Sequence, residues 1–137
     1  GSRNVLITGN QFSRNDLWAI GLMPGAAAHP AQDGKPANAD GGSIIANNLI
    51  SDFGHGDAHW MWGDERSPFK FDAGQDPDDP PLTEVLIQGN LVHNSGPPRY
   101  IYDVLISTEP SGPRGLHFSN NVFPSGTRGV CNQEMKP

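Results

Sequence analysis

The sequence predicts an all-β fold, a right-handed parallel β-helix of about four coils, and three observations predict it. A short phrase returns four times: VLITGNQF from Val5, SIIANNLI from Ser43, VLIQGNLV from Val85 and LHFSNNVF from Leu116. Each copy sets an apolar residue three positions before an asparagine and another two after it, giving Ile7-Asn10-Phe12, Ile45-Asn48-Ile50, Ile87-Asn90-Val92 and Phe118-Asn121-Phe123. The asparagines are 38, 42 and 31 residues apart, inside the roughly 20 to 50 residue period that marks solenoids and propellers. Helical periodicity is not evident anywhere in the chain.

The first strand of each repeat alternates with period 2. Its inward set is Val5 and Ile7, then Ser43 and Ile45, Val85 and Ile87, Leu116 and Phe118, the pattern of a strand with one face in a core. The Gly-Asn or Asn-Asn step that follows turns the chain, because those residues tolerate left-handed backbone angles. Asn10, Asn48, Asn90 and Asn121 then occupy equivalent corners, where their amides are expected to stack as a ladder. A second strand is expected at 19–23, 59–62, 102–106 and 128–131, and a third, 68–71, is clear only in the second repeat. Parallel pairing between repeats needs a return path of a dozen or more residues, which every repeat supplies. Two stretches, 25–42 and 73–83, are rich in Gly, Pro, Ala and Asp and read as loops inserted at corners.

Composition fits one domain spanning 1–137. Only 35% of the residues are hydrophobic, while 17 Gly and 13 Pro imply many turns around a narrow core. A net charge of −6 with no basic run excludes a nucleic-acid backbone as the main partner. No stretch approaches the ~18 apolar residues of a membrane span. The single Cys131 precludes an internal disulfide framework and reads as a small buried apolar residue. Gly1-Ser2 reads as a cloning remnant, and the chain as the C-terminal portion of a longer protein. On the outward face, Leu6, Ile44 and Leu86 would stack into an apolar row, which implies cover by the remainder of the β-helix or by a second copy.

These phrases resemble the coil repeat of the pectate-lyase-like superfamily, which includes pectate lyases, polygalacturonases, other polysaccharide lyases and phage tailspikes. The resemblance covers all four repeats. It implies a secreted, periplasmic or cell-surface domain that binds or degrades acidic, plant or microbial glycans, as a lyase or a glycoside hydrolase. The same architecture also serves as a non-catalytic stalk or tailspike-like oligomer, so that alternative stays open.

Lyases of this architecture neutralise a uronate with a cation or a positive side chain and take the adjacent proton with Lys, Arg, His or Tyr. The stretch from His55 to Asp79 carries the densest set of such groups. Arg66, Lys70 and His59 are the catalytic candidates the resemblance implies. Trp60, Trp62, Asp57 and Asp64, with Arg99 and Tyr100 of the third repeat, have the aromatic faces and polar groups that suit a sugar groove. Trp60 and Trp62 lie two apart and share one strand face, so they are core if that face is inward. Asp76, Asp78 and Asp79 offer oxygen ligands for calcium, or else form a solvated turn. Hydrolysis by inversion calls for facing carboxylates; the chain lacks the N-T-D motif of such hydrolases, and its one D-D pair, Asp78-Asp79, sits between prolines.

Overall fold

The computed structural model describes residues 2–24, 39–55 and 66–133. Those residues form strands and turns, with no helix among them. In chain order the strands are β1 (Leu6–Thr8), β2 (Gln11–Ser13), β3 (Trp18–Leu22), β4 (Ile44–Ala46), β5 (Leu49–Ser51), β6 (Ser67–Phe71), β7 (Thr83–Gln88), β8 (Leu91–His93), β9 (Val104–Ser107), β10 (Arg114–Ser119) and β11 (Val130–Gln133). They build three sheets, ordered β1-β4-β7-β10, β2-β5-β8 and β3-β6-β9-β11, and every strand pairing is parallel. A bridge from Leu91 to Val122 carries the second sheet into the fourth repeat. Each repeat therefore supplies one strand, or rung, to the first and to the third sheet.

Register follows the repeated phrase. Ile7, Ile45, Ile87 and Phe118 lie in one column, and Leu6, Ile44, Leu86 and His117 in the next. The first column faces the core, where Ile45, Val85, Ile87, Ile50 and Val92 meet Phe69, Phe71 and Val104 from the third sheet. Edge-to-face ring contacts join rungs, Phe71 to Phe118 at 6.0 Å and Phe69 to Phe123 at 6.3 Å. At the two ends the pattern weakens. Val5 and Phe118, both inward by period, are 36% and 38% exposed, because an end rung has a neighbour on one side only.

The structure corrects the strand assignment in two places. The register position expected for 59–62, which lies outside the described residues, is held by β6: Phe69 pairs with Ile20 on one side and Val104 on the other. Pro68–Phe71 is thus the second rung's member of the third sheet, not an additional strand. The third strand of each rung lies within the phrase itself, after the asparagine, as β2, β5 and β8. The 73–83 stretch is also more than a corner loop, since Ala73 and Leu82 are buried and Gly74 forms an antiparallel bridge to Ser111. Of the other expected loop, 25–38 lies outside the described residues.

The asparagine ladder is present. Asn48 Oδ1 accepts from Asn10 N–H at 3.0 Å and from Asn10 Nδ2 at 3.2 Å. Asn90 Oδ1 accepts the same pair from Asn48 at 3.0 and 2.9 Å, and Asn121 Oδ1 accepts from Asn90 at 3.0 and 2.9 Å. In return, the amides of Asn48, Asn90 and Asn121 donate to the carbonyls of Ile7, Ile45 and Ile87 in the preceding rung, at 3.0, 3.0 and 2.9 Å. Polar groups at a buried bend are thereby satisfied rung by rung.

Two columns of left-handed backbone flank the ladder. The residue just before each ladder asparagine, Gly9, Asn47, Gly89 and Asn120, has φ of 65°, 54°, 64° and 52°. Six before it, Asn4, Gly42, Glu84 and Gly115 have φ of 56°, 66°, 50° and 69°. Glycine alternates with a side chain in both columns, in opposite phase. The reason is steric: a Cβ on Gly89 would lie 2.6 Å from Asn47 Oδ1, one on Gly42 2.4 Å from Asn4 Oδ1, and one on Gly115 2.3 Å from Glu84 Oε1. Each side chain covers the glycine of the rung above.

Candidate functional site: a polar corner shared by two rungs

After β5 the chain turns sharply at Asp52, whose φ is 50°, an angle that aspartate tolerates better than most side chains. Asp52 N–H donates to the His93 carbonyl of the next rung at 2.9 Å, and His55 N–H returns to the Asp52 carbonyl at 3.2 Å. The Asp52 carboxylate accepts from Ser95 N–H at 2.7 Å and from Ser95 Oγ at 3.2 Å. Those two bonds, backbone first, hold its pKa below the ordinary aspartate value, with His55 and His93 adding smaller favourable fields. His93 pairs in register with Ser51 and is exposed. His55 Nε2 is shielded from solvent and has no hydrogen-bond partner among the described residues.

Phe53 anchors this corner. It is fully buried, and its ring meets Tyr100 of the third rung edge-to-face at 5.1 Å. Gly54 takes a left-handed φ of 75°, which glycine adopts without strain, and packs beside Arg99. Arg99 itself is exposed. The second and third rungs thus bring Asp52, His55 and His93 together, an ionised acceptor and two imidazoles, with exposed Arg99 beside Gly54. Such a set can bond hydroxyl groups from both sides.

Beneath the corner lies a buried polar chain. Asn94 Nδ2 donates to Tyr100 Oη at 3.4 Å, Tyr100 Oη donates to Asp103 Oδ1 at 3.3 Å, and Thr127 Oγ1 donates to Asp103 Oδ2. Burial pushes the Asp103 pKa up, against the two hydroxyl donors that lower it. Burial is also the main cause that raises the Tyr100 pKa, so the phenol keeps its proton and can donate. Tyr100 is 6% exposed; the structure places it as a link between Phe53 and Asp103.

The other sequence-derived candidates are scattered. Lys70 is 3% exposed on β6, level with Gly21 and Leu105. Arg66 precedes β6, half-buried, with a shielded Nε that has no partner among the described residues. Asp79 is buried; its Oδ2 accepts from Gln75 N–H at 2.9 Å and Asp76 N–H at 3.0 Å, and its carbonyl from Ser111 Oγ at 2.7 Å. Asp76 and Asp78 are exposed on the same turn. No group of three His, Cys, Asp or Glu side chains among the described residues could hold a metal ion. Asp57, His59, Trp60, Trp62 and Asp64 lie outside the described residues.

Sequence reasoning passed over Asp52, Ser95, Asn94 and Thr127. A signal existed for Asp52, which stands where Arg14 stands one rung earlier, directly after the second strand and also at positive φ. The chain matches no family model, no curated protein and no solved structure.

Proposed function

We propose that this chain is a right-handed parallel β-helix domain of the pectate-lyase-like kind, exported, that binds a polysaccharide along its outer surface. The observation that carries the reading is the corner at Asp52, His55 and His93, with exposed Arg99 beside Gly54, where polar residues of two successive rungs meet. Rungs repeat every 4.7 to 4.9 Å or so, so a polymer crossing the corner would meet groups of both rungs at once. Binding is favoured over cleavage because Lys70 is buried in β6 rather than offered to a substrate.

The test is a glycan array on uronate-containing and neutral polymers, with and without calcium, repeated with Arg99→Ala and His93→Ala. Retention of a polymer by the wild type and its loss in both variants is the expected result. Ultraviolet absorbance from an unsaturated product would replace binding with a lyase reaction, and no retention of any polymer would overturn the glycan reading.

A second reading is a structural or adhesive β-helix. It is favoured by the in-register row of Leu6 and Ile44, 63% and 39% exposed, continued by Leu86. On that reading Ile44→Lys abolishes self-association in sedimentation and leaves the melting temperature unchanged.

A further inference from the structure

The buried chain beneath the corner ends on a carboxylate that no cation balances. Asp103 is 1% exposed, and two hydroxyls act on it, Thr127 Oγ1 and Tyr100 Oη, against a larger opposing effect of burial. No cation is among the causes of its shift. Lys70 is level with Leu105, two residues further along β9, and Arg99 and Arg128 are exposed. The imidazoles of His55 and His93 act on Asp52 instead. The titratable neighbour that does touch Asp103 is the Tyr100 phenol, which burial keeps protonated. An ionised carboxylate here would keep two hydrogen bonds and lose its hydration, so the neutral acid is favoured.

The turn at 124–129 is tied to this group. Thr127 Oγ1 donates to Asp103 Oδ2, Arg128 N–H donates to the Ile101 carbonyl at 2.8 Å, and the Gly129 carbonyl accepts from Asp103 N–H at 2.8 Å. Ser125, Gly126 and Arg128 are exposed, and no residue of the turn belongs to the core cluster. A segment held by a few bonds and little apolar contact opens at low cost. In the other direction the chain leads to the corner. Asn94 Nδ2 donates to Tyr100 Oη, while Asn94 Oδ1 is shielded with no partner among the described residues. The next residue, Ser95, gives Asp52 both of its bonds, and Phe53 beside Asp52 meets the Tyr100 ring.

We infer that Asp103 is a proton-operated latch: protonated, it holds the 124–129 turn on the third rung; ionised, it releases the turn, and Tyr100 and Asn94 carry the change to Ser95 and the Asp52 corner. The proton acts as a ligand that prefers the docked state. Docking is at full strength below the ordinary aspartate value and is lost as pH rises through the raised one. The latch concerns the shape of the corner and stands whatever the corner binds.

Amide hydrogen exchange on the full chain over about pH 4 to 9, corrected for intrinsic rates, tests this. In the wild type, protection of the Arg128 and Ser95 amides is expected to fall together, by up to about tenfold per pH unit. Low urea should leave both unchanged while it speeds exchange in β7. In Asp103→Asn both amides should keep constant protection. Thr127→Val, which takes away a donor that lowers the Asp103 pKa, should extend the fall to higher pH. Arg128 protection that ignores pH in the wild type, that falls equally in Asp103→Asn, or that follows urea as β7 does would overturn the latch. A fall at Arg128 with none at Ser95 would overturn its connection to the corner.

Discussion

Asn48 Nδ2 lies 2.9 Å from Asn90 Oδ1 in a buried corner, and the second hydrogen of the same amide reaches the Ile7 carbonyl on the other side. One side chain therefore ties three rungs. Replacing Asn90 by Ala takes the acceptor from Asn48 N–H, one of two bonds from Asn48 Nδ2, and the side-chain donor from the Ile45 carbonyl. A loss of about 3 kcal/mol or more is expected, against a clearly smaller loss for Asn121→Ala on the end rung. Urea denaturation of the two variants checks the order.

The flanking columns predict compensation. Gly89→Asn sets a side chain against Asn47 Oδ1 and should cost about 1 to 3 kcal/mol through crowding. Adding Asn47→Gly removes that contact but leaves the new side chain beneath Asn120, so it should recover only part of the loss. A double-mutant cycle with a coupling near zero would show that the alternation has no steric origin.

Asp103 and Asp52 should tilt the pH profile in opposite directions. Burial raises the Asp103 pKa, so the folded state holds that proton more tightly than the unfolded chain does. The stability tied to protonated Asp103 is fully present below the ordinary aspartate value and is lost as pH rises through the raised one. Asp103→Asn should therefore abolish that part of the decline and be no less stable at neutral pH. Asp52 is lowered by its bonds to Ser95, so its contribution is present above the ordinary value and disappears as pH falls through the lowered one. Asp52→Asn should flatten the acid side. Thermal melts across pH 3 to 8 or so separate the two.

Asp79 should behave as a clamp. Its carboxylate closes the turn through Gln75 and Asp76 N–H, and Asp79→Ala is expected to cost about 1 to 3 kcal/mol. Asp76→Ala and Asp78→Ala, both at exposed positions, should be silent within ±0.5 kcal/mol or so. A calcium-dependent rise in melting temperature, lost in all three variants, would instead return this turn to cation binding.

Much of this molecule was legible from the period of the sequence. The apolar-asparagine spacing located β1, β4, β7 and β10, and it placed the four amides in one column, because both depend on local residue chemistry. Assignment failed at β6. His59 to Trp62 has the aromatic content of a strand, and nothing local reveals that Phe69 rather than Trp60 pairs with Ile20; that choice is made by tertiary register. The corner escaped for the same reason. Asp52 and Ser95 are 43 residues apart and neither belongs to the repeated phrase. The opposite phase of Asn4-Gly9, Gly42-Asn47, Glu84-Gly89 and Gly115-Asn120 is readable in the sequence once the positive φ values identify which columns matter.

That opposite phase also governs how such a molecule can change length. Nearest-neighbour stacking alone would allow any single rung to be duplicated or deleted. Here, loss of one interior rung would bring asparagine against asparagine, or Glu84 against Asn4, in one column, and glycine over an unfilled gap in the other. By this steric rule, whole rungs should be added or removed in pairs, which makes two repeats rather than one the unit that keeps both columns in phase.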